Sequence, residues 1–90
     1  MNRLEKIRTA LQAAFTPQRL VIEDDSEAHA GHAGAASGRG HFRVEIVAGA
    51  FAGQPALARH RMIYEALGEL MQTDIHALSL RALAPEEEAR

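Results

Sequence analysis

The chain has 90 residues, no cysteine, no tryptophan, five histidines and a formal charge of −2. That length predicts one small domain, and the lack of cysteine excludes disulfides and any thiolate metal site built from this chain alone. The near-neutral balance gives no global electrostatic footprint for nucleic acid. No apolar run approaches the roughly 20 residues of a membrane span and the first residues lack a signal-peptide core, so a cytoplasmic domain without membrane contact is expected.

Leu4, Ile7, Leu11 and Phe15 recur at spacings of three and four, which predicts a helix over residues 2–15. Thr16-Pro17 ends it, because proline disfavours helical backbone at the residue before it. Residues 19–24 (RLVIED) form a short apolar run stopped by Asp24-Asp25 and read as a strand. From Ser26 to Gly40 there are five alanines, four glycines, two serines and two histidines but no large apolar residue. That composition predicts a loop of unusual length, more often functional than decorative.

Residues 41–48 (HFRVEIVA) alternate, with Phe42, Val44 and Ile46 on one face and His41, Arg43 and Glu45 on the other, which marks a half-buried strand. A turn over 49–55 keeps Phe51 as its apolar anchor. A helix over 55–71 follows, with Leu57, Ile63, Tyr64, Leu67, Leu70 and Met71 as its apolar stripe. Gln72-Thr73-Asp74 break it, and residues 75–83 (IHALSLRAL) return as a third strand. The domain is thus assigned to residues 1–84, with 85–90 left as a charged, solvated tail.

This order, helix-strand-strand-helix-strand, predicts an α+β domain with a three-stranded mixed sheet. The last two strands are parallel across a helical crossover, and both helices lie on one face. The other face is left open, lined by His41, Arg43 and Glu45.

Several blocks in this order resemble the BolA family: Asp25-Ser26 with His29, His41-Phe42, Phe51-Ala52-Gly53, RHRMIYE at 59–65 and IHALS at 75–79. The resemblance covers roughly residues 3–83 and implies a fold related to class II KH domains, in agreement with the element order. It further implies a non-enzymatic partner of a monothiol glutaredoxin. The two proteins would share a bridging [2Fe-2S] cluster, completed by glutathione, in iron–sulfur trafficking or iron and redox regulation. Some bacterial members are transcriptional regulators.

On that resemblance His76 aligns with the family's C-terminal cluster ligand. A neutral imidazole suits iron; the alternative is a hydrogen-bonded surface histidine. The second ligand falls in the loop, where the chain offers both His29 and His32: counting from Asp25-Ser26 selects His29, and counting back from His41-Phe42 selects His32. His41 is read as supporting structure, or as a substitute ligand. Two imidazoles make an incomplete iron site, so the remaining ligands must come from the partner. Protonation of histidine, near 6.5 in model peptides, would then weaken the complex below neutrality.

A competing reading is nucleic-acid binding. Arg39, Arg43, Arg59 and Arg61 against Glu45 give a local excess of positive charge, and His60 lies between two of these arginines. Arg43, Arg59, His60 and Arg61 are therefore candidate partner or nucleic-acid contacts, with DNA and a weakly associating second copy as further partners. Against this, the one GXXG match, at 31–34, lies between strands rather than between the helices where KH domains clamp a backbone. A histidine-based zinc or nickel handler has no evident second shell. An enzyme is not expected: no nucleophile has an evident base, and no glycine loop opens a helix to cradle phosphate.

Overall fold

A computed structural model of the chain describes residues 2–25 and 40–88. Helix α1 (Arg3–Phe15) starts where the Asn2 side chain accepts the Glu5 N–H at 2.8 Å, satisfying one of the donors that a helix start leaves open. It ends at Thr16, whose backbone turns left-handed (φ 45°) ahead of Pro17. Strand β1 (Arg19–Asp24) leads to the segment beyond Asp25, and β2 (Gly40–Val47) returns antiparallel to it, with Arg19 opposite Val47 and Asp24 opposite Phe42. A single 3-10 turn (Gly49–Phe51) precedes α2 (Ala56–Leu67) and the short α3 (Leu70–Thr73). Strand β3 (Ile75–Leu83) then pairs parallel to β2, so the sheet order is β1-β2-β3. A last helical turn, α4, covers Pro85–Glu88.

The alternation in β2 places Phe42, Val44 and Ile46 in the core with Ile22 of β1, all buried. Ile7 and Leu11 of α1, Ile63 and Leu67 of α2, and Phe51 close over that face. Phe15 and Phe51 stack at a tilt, with ring centroids 5.1 Å apart, a contact that secures the end of α1. Both long helices therefore cover one side of an α+β fold, as the element order implies, and the opposite sheet face carries the charged side chains.

Three expectations need correction. The helix over 55–71 is not continuous: Gly68 takes φ 54° and ψ −125° and splits it, a backbone conformation open to glycine and strained for residues with a Cβ. The apolar stripe also runs differently, because Leu57 is 62% and Tyr64 41% exposed while Arg59 shares the buried face with Ile63 and Leu67. Finally, the acidic stretch after Ala84 is folded over Pro85–Glu88 rather than solvated throughout. Glu87 reaches back to accept the Ala84 N–H at 2.7 Å, as the third residue of a capping box does.

Candidate functional site

His76 stands exposed at the start of β3, and His41, half-buried, near the start of β2. Their rings lie side by side, with centroids 5.1 Å apart and planes inclined at 44°. Regular pairing does not bring them together. Gly40 is opposite Ile75 and His41 opposite Ala77, so β3 carries one extra residue at this point, and that residue is His76. A bulge of this kind re-aims a side chain. Here Ile75 remains buried in the core while His76 emerges next to His41.

The turn that starts β3 is held from several directions. The Asp74 carboxylate accepts the Thr73 hydroxyl at 2.5 Å and the Lys6 ammonium at 3.3 Å, with the Arg3 guanidinium 3.7 Å away. The Thr73 hydrogen bond, helped by Lys6 and Arg3, keeps the Asp74 carboxyl below its ordinary range and outweighs the opposing effect of burial. The Asp74 carbonyl accepts the Gly40 N–H at 2.9 Å, so the chain re-enters the sheet directly beside the histidine pair. Sequence reasoning read Asp74 only as a helix breaker. The available signal was its position two residues before His76.

His29 and His32, together with Arg39, lie outside the described residues. Among the described residues no group of three or more histidine, aspartate or glutamate side chains is placed to hold a metal ion. His41 and His76 thus stand side by side at one rim of the sheet, and a neutral imidazole nitrogen is a donor that iron and other borderline metals accept.

The proposed contact residues do not share a surface. Arg43 is exposed on the open sheet face, with Asp25 3.5 Å from its guanidinium. It borders a depression of about 320 Å³ lined also by Glu23, Glu45, Ser79 and Arg81. Arg61 is exposed and His60 half-buried on α2, on the other side of the sheet. Arg59 leaves the contact set. It is 9% exposed, and its Nε donates to the Gln54 carbonyl at 2.7 Å while Nη1 donates to the Ala82 carbonyl at 2.8 Å. Its two Nη atoms also grip the Glu87 carboxylate at 2.6 and 3.2 Å. A guanidinium so fully committed is a structural element.

The fold and this rim together define an α+β domain with two imidazole rings packed side by side at one end of a mixed three-stranded sheet. Residues 11–87 match the family model described as BolA-like protein, and the chain belongs to the BolA family. It is 44% identical over 90 residues to Protein BOLA1, chloroplastic, of Arabidopsis thaliana, an alignment covering 96% of this chain and 56% of that protein. With the DNA-binding transcriptional regulator BolA of Escherichia coli (strain K12) it shares 42% identity over 83 residues, covering 92% of this chain and 76% of the other. The solved structure of BolA1 from Arabidopsis thaliana superposes with a TM-score of 0.82 at 39% identity, covering 97% of this chain and 96% of that one.

Proposed function

We propose that the chain is a non-enzymatic partner of a monothiol glutaredoxin. The two proteins would hold a [2Fe-2S] cluster between them, in iron–sulfur trafficking or iron and redox regulation in the cytoplasm. The observation that carries this reading is the exposed His76 brought against His41 at the rim where the segment bearing His29 and His32 rejoins the sheet. His76 and one loop histidine are the ligands on this side. His41 packs against His76 and restricts its ring.

His76 and one of His29 and His32 would hold one iron of the cluster, which when bound needs two ligands per iron besides its sulfides. Everything else asked of this chain is presentation. The bulge turns an imidazole outward, the buried Ile75 anchors the strand behind it, and the partner's thiolate and glutathione complete the coordination.

Mixing the chain with a monothiol glutaredoxin, iron, sulfide and glutathione tests the reading through visible absorption and circular dichroism. His76→Ala is expected to abolish or strongly alter the spectrum, and His29→Ala and His32→Ala made separately identify the loop ligand. Wild-type spectra from all three variants would exclude the proposal.

The second reading, a DNA-binding regulator, is supported by 42% identity to the Escherichia coli relative of that name. Among the described residues its basic contacts reduce to Arg43 and Arg61, on opposite sides of the sheet, with His60 beside Arg61. Tight binding with sequence discrimination and a steep salt dependence would favour it.

A further inference from the structure

We infer that Asp74 is a positioning residue whose carboxylate, clamped to helix α1, sets the β3 bulge that presents His76 beside His41. The inference rests on the shared-cluster reading for the use of that histidine pair, while the clamp itself is geometric.

Asp74 is buried, at 8% exposure, and belongs to four elements at once. Its N–H donates to the Leu70 carbonyl at 2.9 Å, closing α3, and its carbonyl takes the Gly40 N–H of β2 at 2.9 Å. Its carboxylate reaches Lys6 and Arg3 of α1, and β3 starts at the next residue. The backbone bond to Gly40 is the last in step before the register slips by one residue between Gly40 and His41.

In a strand, a one-residue slip moves side chains to the opposite face. Whether His76 stands beside His41 or away from it therefore depends on where the extra residue is taken up. Ile75, in the core, resists withdrawal of the strand. The ionic hold on Asp74 fixes the turn in front of it, leaving the extra residue to be absorbed at His76. A neutral residue at 74 keeps Ile75 in the core but releases the turn from α1, so the imidazole would lose its fixed relation to His41.

Two measurements separate this inference from the reading beneath it. In the chain alone, nuclear Overhauser contacts between the His41 and His76 rings report the pairing without any cluster. In the glutaredoxin-bridged complex, the rate of cluster loss to a chelator reports its use. Asp74→Ala is expected to abolish the inter-ring contacts and speed cluster loss by about tenfold, the lower end of what outer-shell changes cost metal sites. The methyl resonances of Ile7, Leu11 and Ile63 should stay in place. Asp74→Asn, which keeps an acceptor for Thr73 but drops the charge facing Lys6 and Arg3, should give a smaller change in the same direction.

Inter-ring contacts or a cluster-loss rate unchanged in a folded Asp74→Ala chain would overturn the inference. Should that variant unfold, Lys6→Met, which leaves Asp74 in place, decides instead: weakened ring contacts support the clamp and unchanged ones refute it. A wild-type chain that assembles no cluster with the glutaredoxin would defeat the shared-cluster reading, whereas a wild-type cluster indifferent to Asp74 would defeat this inference alone.

Discussion

The two ends of the sheet use charge in opposite ways. At the end where β2 finishes and β3 runs out, Arg59 binds Gln54, Ala82 and both oxygens of Glu87, while Arg19 meets Glu88 at 3.0 Å. Donors and acceptors there satisfy one another and close the end of the strand. At the opposite end, Asp74 is satisfied by Thr73 and Lys6, and the imidazole two residues later is turned outward. One end spends its polar groups on stability; the other uses them to hold a side chain in a place where it can meet something else. Sequence position does not distinguish these roles, since Arg59 and His76 both lie in blocks that carry the family resemblance.

The largest effect expected from breaking this contrast is on stability at the closed end. Arg59→Ala removes the bidentate grip and leaves Glu87 and the Ala82 carbonyl without it. That should cost about 2–3 kcal/mol, the scale of hydrogen bonds to a charged group, read as a lower urea midpoint at unchanged slope. Arg61→Ala, two residues further along α2 and exposed, should stay within about 0.5 kcal/mol, and equal losses from the two arginines would erase the distinction. Gly68→Ala strains the break between α2 and α3. Its added Cβ meets nothing nearer than the Glu65 carbonyl at 3.8 Å, so the expected cost of about 1–2 kcal/mol is conformational.

At the open end the effects on stability are smaller. His76→Ala should leave the urea midpoint within about 0.5 kcal/mol of wild type while disabling cluster assembly. A large loss of stability would instead make His76 a residue that the fold itself needs. The acid limb of the stability curve tests Asp74. Because its folded carboxyl titrates below the ordinary range, its contribution is complete above about pH 4 and is lost as pH falls through the depressed value. Asp74→Asn should therefore flatten the decline of stability below about pH 4 and change its pH dependence little at neutrality.

Much of the fold was legible from neighbouring residues. The bounds of β1 at 19–24 and β3 at 75–83 follow from their apolar runs, and the burial of Phe42, Val44 and Ile46 follows from alternation. Leu57 and Tyr64 fall outside the core because an apolar residue on a helix need not face it, and Arg59 lies inside because charge is a poor guide to exposure once a partner is available. Glu87, the partner in question, lies 28 residues further along the chain, where no local pattern connects the two.

The sequence by itself determined the order of elements, their periodic faces and the family. These are properties of residues close together in the chain, where spacing alone sets which side chains share a face. Only the tertiary structure decided that His41 and His76 stand side by side, that Asp74 ties α1 to the turn before them, and that Arg59 belongs to the closed end. Each of those depends on register between strands and on contacts across many residues, where a single extra residue in β3 changes which side chains meet.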